Sequence, residues 1–282
     1  MSSAFLHPTL LPPPIRSILS GTLAKLLVNS GRIDLNSVME PKIVLMDRNY
    51  SPDSLNETGP LDLRNIKPSE WETILAKCQS ENLRLYHIML VSLDGVERLK
   101  TTSSLAMEWA NKIPNLNPVF KMLWLSNLFI SDFPRITNIE GIEALRGLKT
   151  LHLSGNRGSL HPPLRLASIQ PIAHLSNLEE LTVFNTRLEN DDISFLASLP
   201  KLRVLTLSNT FAREKFAFLA KRMNAQLGIP ITAYRRMNFP CPTCGEALFY
   251  FIGKRMPTLC KRCESKRFEK LTHQFEELVG AA

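Results

Sequence analysis

Four of the five cysteines stand in two pairs of one shape, Cys241-x-x-Cys244 and Cys260-x-x-Cys263, with fifteen residues between the pairs. A Cys-x-x-Cys bends the backbone into a tight knuckle, so two sulfurs can reach one metal ion. Gly245 follows the first pair, where a knuckle commonly needs positive φ. Four thiolates favour one Zn²⁺ in a closed tetrahedral shell. Such a shell leaves no position for water, and no histidine or carboxylate stands beside it at ligand spacing, so catalysis is the least supported use. A redox dithiol needs one Cys-x-x-Cys, not two matched pairs. Cys78 lies alone far upstream. The odd count argues for metal thiolates in a reducing compartment, the cytoplasm, over disulfides.

Two uses remain for the centre. Lys261, Arg262, Lys266, Arg267 and Lys270 fall within ten residues, close to Phe249, Tyr250 and Phe251. Basic residues interleaved with aromatics can hold phosphate and stack bases, which opens a nucleic-acid reading. The charge distribution bears on it. The chain carries +8, of which Phe211–Ala282 contributes +7 and residues 1–210 only +1. Four thiolates on one Zn²⁺ bring that tail down to about +5. Glu264 and Glu269 offset part of the basic run, and ALFYF (247–251) alternates, so some of its aromatics must fill a small core. The other use is a structural staple. A segment this short cannot fold on its own core, and a metal supplies the missing stability. ALFYF, the turn GKRMP and the returning TL predict a hairpin; ESKRFEKLTHQFEELV predicts a helix with Phe268, Leu271, Phe275 and Leu278 on one face. Knuckle, hairpin, then a second pair opening a helix resembles a zinc ribbon or treble-clef finger. The staple is the better supported reading.

A staple needs something to close. LKTLHLSGN (148–156), LEELTVFNT (178–186) and LRVLTLSNT (202–210) share one frame, with apolar residues at positions 1, 4 and 6 and Asn or Thr at 9. FKMLWLSNL (120–128) fits the same frame with Leu at 9. LDLRNI (61–66) and LRLYHI (83–88) are further rungs 22 residues apart, VERLKT (96–101) is a weaker one, and KIVLMD (42–47) stands as the first. This pattern resembles the leucine-rich repeat, L-x-x-L-x-L-x-x-N, and NIEGIEALRGLKTLHLSGN resembles its short-repeat bacterial and phosphatase-regulator form. The resemblance implies an α/β solenoid, with a parallel sheet on the concave face and helices or turns behind it. Measured at position 4, the spacings are 28, 30 and 24. The first two predict insertions in the return segments, clearest at GSLHPPLRLASIQ after Asn156.

Solenoids expose raw leucine at both ends and need caps. IRSILSGTLAKLLVNSG (15–31) has the spacing of an amphipathic helix, and its face carries too few cations for a membrane surface. AREKFAFLAKRMNAQL (212–227) predicts a last return helix. The division that follows is residues 1–40 as N-terminal cap, 41–236 as solenoid and 237–282 as metal module. No run approaches about 18 apolar residues, so no membrane span is expected.

No P-loop, Gly-x-Ser-x-Gly, His-Glu-x-x-His or dinucleotide fingerprint occurs, so a non-enzymatic binding scaffold is expected. The outward positions of the frame nominate the partner face: Arg84, Trp124, His152, Thr182 and Thr206 at position 5; Lys121, Met122, Lys149, Glu179, Glu180 and Arg203 at positions 2 and 3; Phe184 at position 7. Resemblance to small bacterial repeat proteins implies recognition of one cognate protein, such as a toxin or effector.

Overall fold

The computed structural model describes residues 40–155 and 163–282. The predicted capping helix at 15–31 and the turn residue Asn156 lie outside the described residues. Two apolar periods alternate along the chain and generate two kinds of backbone. Where leucines alternate at period two, the chain is extended. The strands are β1 (Lys42–Leu45), β2 (Leu61–Ile66), β3 (Asn82–Ile88), β4 (Ser104–Glu108), β5 (Asn127–Ser131), β6 (Thr150–Ser154), β8 (Glu180–Phe184) and β10 (Val204–Leu207). They form one sheet in that order, and every pair whose register is resolved is parallel. The register places Leu61, Leu83, Leu105, Leu128, Leu151, Leu181 and Leu205 side by side. All seven are buried, as each rung seals the leucines of its neighbours.

Where apolar residues recur every third position, the chain turns back through short 3₁₀ segments such as Val96–Arg98, Ile142–Ala144, Gln170–His174 and Ser194–Ser198. Three residues per turn put every third side chain on one side. Ile139, Ile142, Leu145 and Leu148 form one such buried row, and Ile193, Leu196, Leu199 and Leu202 another. Longer helices replace this segment after β2, where α1 spans Pro68–Lys77, and after β10, where the predicted return helix is α3, Arg213–Met223. A one-turn helix, α2 (Asn117–Phe120), lies between β4 and β5.

This architecture corrects one predicted rung. FKMLWLSNL is not a strand. Leu116, Val119, Met122 and Leu125 form a buried period-three row that matches the other return segments. The strand is β5, five residues further on, with Leu128 and Ile130 aligned to Leu151 and Leu153. Spacings at position 4 are therefore 22, 22, 23, 23, 30 and 24 from Leu61 to Leu205. VERLKT is likewise a return segment, and the strand it precedes is β4. The long 30-residue spacing does carry an insertion: β7 (Leu164–Leu166) pairs in parallel with β9 (Thr186–Leu188) as a separate two-stranded sheet.

Five of the seven rungs from Leu61 to Leu205 leave their strand through a left-handed turn at position 8, and those at Gly155 and Asn209 do not. Asn65, His87, Trp109, Asp132 and Asn185 all have positive φ there, between 45° and 62°. At these five rungs four different residue types hold the left-handed conformation.

The tail follows as a three-stranded antiparallel sheet of β11 (Tyr234–Pro240), β12 (Ala247–Phe251) and β13 (Thr258–Cys260), then α4 (Ser265–Ala281). β11 begins in PITAYRR and pairs with β12 through Tyr234 and Phe251. Phe268 and Phe275 of α4 are buried, with Leu271 and Leu278 packed beside them, as the helical spacing predicts. Residues Ile43–Ala282 form one compact unit.

Candidate metal centre and interaction face

The four sulfurs of Cys241, Cys244, Cys260 and Cys263 lie within 4.8 Å of one another. Cys244 and Cys260 are 3.4 Å apart and Cys241 and Cys263 3.9 Å. A disulfide brings sulfurs to about 2.05 Å, so none is formed. A metal with sulfur ligands at about 2.3 Å spaces them by about 3.8 Å along a tetrahedron's edges, and the observed distances bracket that value. The knuckle forms as its sequence predicts: Gly245 has φ of 75°, its N–H donates to the Cys241 carbonyl at 2.9 Å, and Cys241 N–H donates to Glu246 O at 2.6 Å. Backbone N–H groups of Thr243 and then Cys244 aim at the Cys241 sulfur and bring its thiol down to about 6. The Cys263 thiol is pushed up to about 12, chiefly by its contact with Cys244 and then by burial. Among the described residues these cysteines are the one group of three or more His, Cys, Asp or Glu side chains placed to hold an ion. Cys78 is buried in the solenoid core, and burial pushes its thiol up.

The metal module is tied to the solenoid by polar contacts as well as packing. Asn209, just past β10, donates from Nδ2 to Phe251 O at 2.9 Å and accepts from Gly253 N–H at 2.6 Å through Oδ1. Lys254 N–H donates to Phe211 O at 2.7 Å and Ile252 N–H to Ala233 O at 2.9 Å. Gly253 has φ of 119°, and a Cβ there would lie 2.9 Å from Arg213 Cβ, so the close approach requires glycine. Arg213 in turn donates to the Leu271 carbonyl of α4 and lies over the Phe275 ring.

The five basic residues considered for nucleic acid are all exposed. Lys261 and Arg262 flank the second cysteine pair, and Lys266, Arg267 and Lys270 lie on the first turns of α4. Arg262 approaches Glu246 at 3.9 Å and Arg267 approaches Glu264 at 3.4 Å. Phe249 and Phe251 pack edge-on to Phe268, at 5.5 and 5.0 Å between ring centroids, and Tyr250 packs against the solenoid core. Phe251 is buried, and Phe249 and Tyr250 are half-buried by these contacts.

The sheet's open face divides in two. Toward β2, the predicted partner residue Arg84 is buried and already occupied. Its Nη1 donates to Asp62 Oδ2 at 2.7 Å, and its Nε and Nη2 donate to Glu108 Oε2 at 3.2 and 2.5 Å. Burial works to lower its pKa, but Glu108 and then Asp62 outweigh this and leave it raised. Arg84 is thus a structural cross-tie. Tyr86 covers it, with the guanidinium 4.7 Å from the ring centroid. The shifted rung removes three further nominees from the face. Met122 is fully buried in a return segment. Trp124 packs beside it, donating from Nε1 to Thr102 O at 3.0 Å under Lys100 Nζ. Lys121 is exposed on the same segment. Phe129 and Ser131 take their places on the face. An even 22-to-23-residue spacing was the signal that would have found them.

Toward β10, the nominated residues do share one surface. His152, Thr182 and Thr206 stand side by side across three strands and are half-buried, while Phe184, one residue pair further along, is 46% exposed. His152 Nε2 contacts Ser154 Oγ at 3.1 Å. Lys149, Glu179 and Arg203 line the entry to the same strands, with Glu180 beside them. Burial and then the neighbouring Glu179 raise the Glu180 pKa.

No protein-family model and no curated protein matches the chain. Among solved structures, it is similar to an internalin, inlF, from Listeria monocytogenes at 22% identity, with a TM-score of 0.40 over 54% of this chain. That match spans only 40% of the internalin's length. An internalin C2 from the same organism is similar at 20% identity, with a TM-score of 0.44, over 64% of this chain and 80% of its own. The parallel rungs, the aligned leucine column and the short return segments make the fold a leucine-rich-repeat solenoid.

Proposed function

We propose that this protein is a non-enzymatic scaffold that binds a cognate protein on the half of its sheet between β6 and β10, with one structural zinc ion holding its C-terminal module. One observation carries the reading: Phe184 stands 46% exposed on a rigid face whose neighbours His152, Thr182 and Thr206 leave it uncovered. A large exposed apolar group on an ordered sheet with charged residues at its margin has the make-up of an interface anchor. Phe184→Ala combined with Glu179→Lys keeps the leucine column intact. Affinity capture from the native host should lose at least about tenfold of one specific partner with this double variant. Equal capture by the folded double variant refutes the reading.

Zinc is supported by the sulfur spacing and by a donor set of four thiolates. The module's docking through Asn209 and Arg213 supports a structural role. Elemental analysis should find one zinc per chain, and Co²⁺ substitution should give the absorption of a tetrahedral sulfur site. The nucleic-acid alternative has less behind it, since its aromatics pack against Phe268 or the solenoid core and two of its five cations approach carboxylates.

A further inference from the structure

β10 is the last strand of the large sheet; Gly228 N–H meets the Arg203 carbonyl just before it at 2.8 Å, and beyond that point a gap separates its far side from the C-terminal module. Val204 N–H donates to Glu179 O at 3.1 Å and Ser208 N–H to Val183 O at 2.9 Å, both toward β8. Backbone groups of successive strand residues point to opposite sides. Leu205 and Leu207 therefore turn their N–H and C=O groups away from β8. Among the described residues no hydrogen-bond partner faces them. Natural proteins cover or blunt such an edge, because it templates the addition of another strand.

Beside this edge lies a cavity of about 300 Å³. Its lining includes Leu205 and Leu207 together with the residues between and after them, so it runs along the strand's backbone and not only its face. Phe216 and Ile231 lie on its solenoid side, Tyr250 on the module side, and Arg235 also lines it. Arg235 is half-buried, and among the described residues no carboxylate lies within ion-pair distance of it. The Asn209 clamp joins β10 to the end of β12 and fixes the width of the gap.

We propose that this gap is a peptide-binding slot, in which an extended segment of a partner protein adds a strand to β10, buries one bulky apolar side chain beside Phe216 and Ile231, and presents a carboxylate to Arg235. Three features select this occupant. Paired outward donors and acceptors call for a strand. The apolar lining calls for one large side chain. A cation without a partner calls for an acidic neighbour. The slot borders the sheet-face interface and shares Phe184 and Thr206 with it, while Leu207 and Arg235 belong to the slot alone, so variants there test it separately.

The test uses the zinc-loaded full chain and a panel of end-blocked, fluorescein-labelled heptapeptides. Each carries a central leucine, phenylalanine or tyrosine among alternating threonines, with or without a neighbouring aspartate. Fluorescence anisotropy should show saturable binding, tightest for peptides with aspartate. N-methylation of alternate peptide amides should weaken it by at least about tenfold, as should Leu207→Pro, which removes one outward donor and leaves the bonds to β8 in place. Arg235→Glu should reverse the charge preference, favouring lysine-bearing peptides. Three results would overturn the proposal. One is no saturable binding by any peptide. Another is binding unchanged by N-methylation and by both variants. The third is a concentration-dependent dimer abolished by Leu207→Pro, which would give the edge to a second copy. Partner capture unchanged by Phe184→Ala with Glu179→Lys, alongside slot binding lost in Leu207→Pro, would count against the interface reading only.

Discussion

Between β2 and β10, each rung buries its own share of a continuous aliphatic column. Between β11 and α4, the separate core holds only Phe251, Leu259 and Phe268, and four sulfurs stand where further side chains would be needed. The two regions teach different lessons about cohesion. In the solenoid, stability is spread over many similar contacts between neighbours, so damage stays near its source. In the tail, the ion proposed for the four cysteines would concentrate the same task at a point, so everything there would depend on it.

The largest expected effect separates these cases. Chelation of the metal, or Cys260→Ser, removes a binding free energy on the order of 10–16 kcal/mol at pH 7. Amide exchange should then become fast across β11–β13 and the start of α4, while β2–β6 stay protected. Uniform loss of protection over the whole chain would refute the division. Next comes the ionic tie of the first rungs. Arg84→Met leaves Glu108 buried without its cation and Asp62 with Arg64 alone, and should cost roughly 3–5 kcal/mol in denaturant titration. Its zinc content should be unchanged, and loss of metal would show that the regions are more tightly coupled than described. The smallest effect falls on the joint. Asn209→Ala strands the Phe251 carbonyl and the Gly253 N–H and should cost about 1–3 kcal/mol. Exchange should quicken at Phe251–Lys254 with both regions still folded, and no local change there would remove Asn209 as the clamp.

Much of this architecture is written in local periods. Leu151 and Leu153 specify a strand, and the next rungs at Leu181 and Leu205 repeat the statement. The cysteine knuckle is equally legible, because its chemistry depends on neighbours in the chain. What misleads is the stretch 120–130, where Met122, Leu123, Leu125, Leu128 and Ile130 satisfy both a strand period and a return-segment period. Only pairing with β4 and β6 decides, and pairing is a property of the assembled sheet. Arg84 teaches a related point. Its position on the face is read correctly, but its burial depends on carboxylates 22 and 24 residues away. The slot beside β10 is invisible for the same reason, since it exists only where two separately encoded regions leave a gap.

The left-handed turn at position 8 is met by asparagine, histidine, tryptophan and aspartate in turn, at a backbone cost of about 1–2 kcal/mol each. None of these side chains is buried, and His87 and Trp109 stack with centroids 4.1 Å apart. The backbone there is dictated while the side chain is not. That rim is therefore a margin along which the molecule can exchange what it displays to its surroundings, one residue at each of five rungs, without redrawing a single strand.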